Sequence, residues 1–138
     1  MKEIGAATQR FLEDRPDLVL GTIRRDGAPQ ASPVWFLWDG GSFLVSTTIR
    51  TAKWHNLGRD RRCSVCVDDP STGQMVVAYG RAVRHEEGVR GPTARLVAKY
   101  YPGDPERAAS HVERIFAGDR RVLIEVVPDR IITRRLES

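Results

Sequence analysis

The sequence predicts an α+β fold, a small antiparallel β-barrel with flanking helices. Short runs rich in β-branched and aromatic residues alternate with Gly-, Asp- and Pro-containing turns from Asp17 to Arg84, as in strands joined by tight connections. An amphipathic segment precedes these runs. Two helical segments are inserted late, ahead of the last strands. Such segregation of helices from strands separates α+β folds from alternating βαβ architectures.

Residues Lys2–Asp14 place Ile4, Ala7, Phe11 and Leu12 on one helical face, and Pro16 ends that helix. Asp17–Arg25 reads as a strand through Leu18, Val19, Leu20 and Ile23, closed by an Asp26-Gly27 hairpin turn. The following strand, Ala28–Trp38, contains Pro29 and Pro33. Proline cannot donate to a ladder, so an edge position or a bulge is expected here. Asp39-Gly40-Gly41 turns into a strand with Phe43 and Val45 on one face and Leu44 on the other. Its apolar pattern stops at Ser46-Thr47-Thr48, and Thr48 is the expected N-cap of a short helix bearing Ala52, Trp54 and Leu57. Arg61–Asp68 and Gln74–Arg84 are two further strands around a polar turn at Asp69–Gly73. Gly88–Tyr101 and Asp104–Phe116 read as helices broken at Tyr101-Pro102-Gly103, with Leu96, Tyr100, Val112, Ile115 and Phe116 on their apolar faces. Arg121–Val127 and Arg130–Arg134 are the last strands, divided at Pro128-Asp129.

A chain of 138 residues is expected to form a single domain, residues 1–138, with volume for a real core. No apolar run approaches membrane-spanning length. The N-terminus lacks a signal-peptide core. A cytoplasmic protein without a membrane partner is expected. Cys63-Ser64-Val65-Cys66 has the C-x-x-C spacing of redox and metal sites. On a strand, however, residues three apart face opposite sides, and there is no second cysteine pair to complete a zinc site. His55, His85 and His111 lack metal-ligand spacing, so no metal is expected.

The chemistry concentrates in Ser42–Leu57. Hydroxyls at a helix start, with Arg50 and Lys53 spaced i, i+3 on the expected helix, make an anion site. Cations in a first helical turn oppose the helix dipole unless an anion joins them. Arg50, Lys53, His55, Arg59, Arg61 and Arg62 crowd one stretch against the single acid Asp60, which suits an anionic ligand. No G-x-G-x-x-G, Walker or G-x-S-x-G pattern occurs, and no acid/base pair stands out. An enzyme with so little side-chain chemistry needs a cofactor.

Two runs carry a family resemblance. Thr22-Ile23-Arg24-Arg25-Asp26-Gly27-Ala28-Pro29-Gln30-Ala31-Ser32-Pro33-Val34-Trp35-Phe36 resembles the first hairpin of the pyridoxamine 5'-phosphate oxidase-like split β-barrel proteins. Ser46-Thr47-Thr48 through Arg50, Lys53, Asn56 and Leu57 resembles their cofactor-phosphate segment. Within that superfamily the Ser32–Phe36 strand and the helix carrying Lys53, Asn56 and Leu57 are most similar to the flavin/deazaflavin oxidoreductases of group B, which use coenzyme F420. The resemblance implies a split β-barrel and a homodimer with cofactor sites at the subunit interface. It implies that Thr47, Thr48, Arg50 and Lys53 hold the cofactor phosphate with Asn56 nearby. It further implies that Ser32, Pro33, Val34, Trp35 and Phe36 lie against the cofactor ring. A C-terminal substrate segment of the true pyridoxamine phosphate oxidases is missing, which argues against vitamin B6 oxidation.

The expected function is therefore an oxidoreductase in which reduced coenzyme F420 donates hydride to an electron-poor small molecule. Tyr79 is a candidate proton donor. The alternative on the same scaffold is an FMN-binding oxidoreductase, because both cofactors carry a phosphate-bearing ribityl tail. The acidic tail of coenzyme F420 would suit a basic exit groove built from His55, Arg59, Arg61 and Arg62. A non-catalytic cofactor carrier or a nucleic-acid binder is the third class. Apart from Trp54 the basic stretch has no interleaved aromatics, which makes base stacking a poor fit and leaves nucleic acid outside the expected partners.

Overall fold

The computed structural model describes residues 4–136. In chain order the elements are α1 (Ala6–Asp14), β1 (Leu18–Ile23), β2 (Pro29–Val34), β3 (Leu37–Trp38), β4 (Phe43–Thr48), α2 (Ala52–Arg59), β5 (Arg62–Asp69), β6 (Gln74–His85), α3 (Arg90–Ala98), α4 (Pro105–Phe116) and β7 (Arg121–Arg134). The strands form one antiparallel sheet in the order β2-β1-β5-β6-β7-β4-β3.

That order forces the sheet to curl. Strands β2 and β3 occupy opposite edges, yet only Trp35 and Phe36 separate them. Seven flat strands at about 4.8 Å spacing would hold the edges roughly 29 Å apart. Three Cα steps, from Val34 to Leu37, reach at most about 11 Å. The proline-bearing segment expected as one strand is thus two, split where the chain passes from one edge of the half-barrel to the other. Both Pro29 and Pro33 sit in the edge strand β2, where a missing N–H is tolerated.

The inward face of the sheet carries Leu18, Leu20, Phe43, Val45, Val65, Val67, Val76, Val122, Ile124 and Val126, with Phe36 and Trp38 packed among them. Helix α1 adds Phe11 and Leu12, and α2 adds Trp54 and Leu57. The expected helix at Lys2–Asp14 begins at Ala6; Lys2 and Glu3 lie outside the described residues. Gly5 occupies the N-cap position. In α4, Asp104 caps the helix by accepting from the Arg107 N–H at 3.1 Å.

Three expectations about local structure change. First, β4 continues through Ser46-Thr47-Thr48, because Thr48 pairs with Arg121 on β7; loss of apolar pattern did not mean loss of ladder. Second, the N-cap of α2 is Thr51, not Thr48. The Thr48 hydroxyl accepts from the Arg50 N–H at 3.3 Å, closing a small turn before the helix, so Arg50 precedes α2. Third, β7 runs unbroken through Pro128-Asp129. A register shift at Tyr79/Gly80 pairs Tyr79 with Arg130 and Gly80 with Pro128, leaving Asp129 as the extra residue. Glycine makes the bulge possible: a Cβ at residue 80 would lie 2.2 Å from the Val127 carbonyl oxygen.

The two cysteines follow strand alternation. Cys63 is buried on the inward face and Cys66 half-buried on the outward one, and both are free thiols. Among the described residues no helix is long and apolar enough to cross a membrane.

Candidate functional site

A cleft of about 330 Å³ opens where the ends of β2, β4 and β7 meet α2, α3 and α4. Two chemistries line it. Val34, Trp35, Leu96, Val97 and Ile115 are apolar or aromatic; Ser46, Thr47, Thr48, Thr51, Lys53 and Arg121 are hydroxylic or cationic. Among the described residues no carboxylate lines the cleft.

The aromatic wall is braced from the turn that follows α3. Trp35 stacks on Tyr100 with centroids 3.9 Å apart and planes within 7°. Tyr100 Oη accepts the Phe36 N–H at 2.9 Å and donates to the Pro16 carbonyl at 2.6 Å. Lys99 Nζ donates to the Phe36 carbonyl at 3.0 Å and sits over the Phe36 ring at 3.8 Å. Both backbone groups of Phe36, at the crossing between sheet edges, are thereby satisfied by α3-side residues. Burial lowers Lys99 to about 8 and raises the Tyr100 phenol to about 12. His111 approaches Trp35 from α4 at 5.4 Å and shares a 2.9 Å hydrogen bond between its Nδ1 and Tyr101 Oη. Burial, then the charges of Arg114 and Arg121, hold the imidazole below its ordinary pKa. The tautomer of the imidazole sets which of Nδ1 and Oη donates in that bond.

The polar end is held by hydroxyl bonds between a strand and a helix start. Thr51 Oγ1 donates to the Thr48 carbonyl at 3.2 Å, which leaves the Thr47 hydroxyl to donate to Thr51 Oγ1 at 2.9 Å. No acidic residue stands in the first turn of α2, so its leading N–H groups carry uncompensated partial positive charge. Burial lowers the pKa of both Lys53 and Arg121. Arg121 Nη1 donates to Ser46 Oγ at 3.3 Å.

Of the site residues expected from sequence, the cleft brings together Val34, Trp35, Thr47, Thr48 and Lys53. Arg50 is not among the lining residues; it lies exposed, with Nε on Asp119 at 3.0 Å. Asn56 is buried and does not line the cleft, donating to Thr22 Oγ1 at 3.1 Å and accepting from Arg59. Phe36 is a core residue with no exposed surface, Pro33 is exposed on the edge strand, and Ser32 is half-buried with its hydroxyl unpartnered. Tyr79 is 48% exposed on the outward face of β6 and does not line the cleft. The downstream basic residues are partly committed elsewhere: Arg62 is paired with Asp60 at 2.7 Å, and Arg61 Nε donates to the Ala82 carbonyl.

Residues missed from sequence are Ser46, Thr51, His111 and Arg121. For Arg121 the local sequence held no signal, because it faces the hydroxyl-rich end of β4 only across the β4–β7 ladder. For His111 there was none beyond its place on an amphipathic helix. Leu96 and Ile115 were legible as apolar helix positions, but not as cleft walls.

A curled antiparallel half-barrel with a cleft between a cationic, hydroxyl-rich end and an aromatic wall defines a split-barrel protein. The family profile for pyridoxamine 5'-phosphate oxidase matches residues 4–134, and the chain belongs to that family. Solved structures agree on the fold. An F420 reductase superposes with a TM-score of 0.71 at 22% identity, over 94% of this chain and 98% of that one. A conserved hypothetical protein from Mycobacterium tuberculosis gives 0.78 at 24% identity, over 94% and 84%. A putative pyridoxamine 5'-phosphate oxidase from Listeria innocua gives 0.68 at 21% identity, over 91% and 94%.

Proposed function

We propose that this protein is an oxidoreductase that binds coenzyme F420 and reduces an electron-poor small molecule. The observation that carries the reading is the single cleft in which Lys53, Thr47 and Thr48 face the same space as Trp35 and Val34. That arrangement suits a ligand with a phosphate at one end and a planar ring at the other. The acid-free lining is consistent with it, as is the lowered pKa of Lys53, a cation desolvated without a carboxylate partner. The choice of coenzyme F420 over FMN rests on the Ser32–Phe36 and Thr48–Leu57 resemblance and on likeness to an F420 reductase.

When bound, such a cofactor supplies the hydride. The protein's part is placement. Lys53 and the two threonines would hold the phosphate, Trp35 would present its ring face, and Leu96, Val97 and Ile115 would exclude water. The Tyr100 stack fixes the Trp35 plane before any ligand arrives, so little order is lost on binding.

A homodimer is part of the reading. A cleft of about 330 Å³ is at the low end of the roughly 300–1,000 Å³ common for ligand sites, and a tricyclic cofactor would need a second chain to cover it. Trp38 is buried in the core of its own chain and offers no surface to a partner. The exposed apolar surface lies instead on the outward face of the sheet. Val19, Cys66, Val77 and Ile132 form one cross-strand row there, with Tyr79 and Val127 beside it.

Native mass spectrometry with FMN and with coenzyme F420, followed by fluorescence titration of each, tests the assignment. Tighter binding of coenzyme F420 to a dimer is expected; tighter binding of FMN moves the protein to the FMN oxidoreductases. Lys53→Ala should cost one to two decades of affinity, about 1.5–3 kcal/mol, for a lost charge-assisted bond.

A further inference from the structure

Arg121 opens the last long strand, and nothing in the sequence motifs points to it. Its side chain lines the same cleft as Lys53, and the ladder sets it opposite Thr48. Its bonding is incomplete. Nη1 reaches Ser46 Oγ at 3.3 Å, while Nε is covered and has no hydrogen-bond partner. Among the described residues, neither Arg121 nor Lys53 enters an ion pair, although the neighbouring Arg120 is flanked by Glu86 and Glu87 and Arg50 is paired with Asp119. Two cations are thus half-buried in one acid-free cleft. Leaving a desolvated charge uncompensated is destabilising, and two like charges in one cleft add repulsion. A ligand carrying negative charge would relieve both costs and supply an acceptor for the guanidinium.

We propose that Arg121, steadied by Ser46, is the second arm of a two-cation clamp with Lys53 for the phosphate ester of the bound ligand. The clamp rests on the proposed phosphate-bearing cofactor and adds an arm from β7. A guanidinium presents a planar fork to phosphate oxygens where an ammonium presents a point charge. The two arms therefore orient the phosphate as well as attract it, and they join the last strand of the sheet to the first turn of α2. Because the Arg121 charge reaches His111, filling the clamp is also reported at the aromatic end of the cleft.

Inorganic phosphate is the first probe. In the wild-type protein it should shift the Arg121 Nε–H signal in NMR spectra and raise the His111 pKa as the guanidinium is neutralised. Arg121→Met should weaken phosphate, FMN and coenzyme F420 at least tenfold and raise the His111 pKa without any ligand. Arg121→Lys should recover part of the affinity, and Arg120→Met, which removes the same charge one residue away, should leave it within twofold. If Arg121→Met binds all three probes within twofold of wild type while Lys53→Met loses them, the clamp has one arm; the proposal fails and the cofactor reading survives. Loss of coenzyme F420 affinity alone would mean that Arg121 takes its acidic tail, which also overturns the clamp. Should Arg121→Met fail to fold, an unmoved Arg121 signal in wild type at saturating phosphate overturns it directly. If the wild-type protein binds none of the probes, the cofactor reading falls as well.

Discussion

Replacing Tyr100 by phenylalanine separates two things this side chain does. The ring stays, so the stack on Trp35 is kept. The hydroxyl goes, and with it the acceptor of the Phe36 N–H at 2.9 Å and the donor to the Pro16 carbonyl at 2.6 Å. The Pro16 carbonyl is on the exposed side and water replaces its partner. The Phe36 N–H is part-buried, and an unsatisfied donor there costs about 1–3 kcal/mol. Tyr100→Leu loses the stack too, a further ~0.5–1.5 kcal/mol beyond area burial. Urea denaturation followed by far-ultraviolet circular dichroism measures both without relying on Trp35 emission. We expect Tyr100→Phe to lose stability but bind cofactor within threefold of wild type, and Tyr100→Leu to lose both stability and affinity as Trp35 is released. A Tyr100→Phe protein as stable as wild type would refute the view that this hydroxyl secures the crossing between sheet edges.

Four further outcomes are expected. Gly80→Ala drives a Cβ into the Val127 carbonyl and should cost about 3 kcal/mol, as overpacking against backbone does; a urea midpoint unchanged from wild type would remove the bulge argument. Asn56→Ala should lower stability by about 1–3 kcal/mol through its buried bond to Thr22, with cofactor affinity within threefold; loss of affinity at unchanged stability would return Asn56 to the site. Lys99 titrates near 8 when folded against 10.5 when unfolded, so between those values the unfolded chain binds more protons and stability rises with pH. The wild-type minus Lys99→Met difference should therefore grow across that window, by about 1 kcal/mol after screening at this half-buried site, and a flat difference would contradict it. Cys63, buried and pushed up to about 12, should react with thiol reagents only on unfolding, and Cys66 slowly, with no Cys63–Cys66 disulfide in mass mapping.

Much of this architecture was legible because local chemistry and tertiary structure agree. Asp26-Gly27 makes its turn with Gly27 at φ +88°, and the Cys63–Val67 alternation reports a half-buried strand. Where the two diverged, long-range pairing decided. Ser46, Thr47 and Thr48 look like the end of a strand, yet β7 holds them in the ladder. Pro128 looks like a break, yet Gly80 on another strand absorbs it. The candidate site divided in the same way. Lys53 and the threonines lie within one short stretch and could be read together. Arg50 was in that stretch too, but Asp119 draws it aside, and an acid so distant in sequence leaves no local trace. Arg121 and His111 reach the cleft only through the fold.

Because β7 is last in sequence but lies between β6 and β4 in the sheet, the cleft cannot exist until the C-terminal strand has docked. Ser46 and Arg121, which meet across it, are 75 residues apart in the chain. Pairings of that range close slowly, after local hairpins such as β1–β2 and β5–β6 have formed. Binding competence should therefore arrive late and abruptly during folding, as a property of the finished sheet. A chain emerging from the ribosome would hold the segment bearing Lys53 long before it held a site, and premature ligand capture by unfinished chains is avoided by the order of assembly alone.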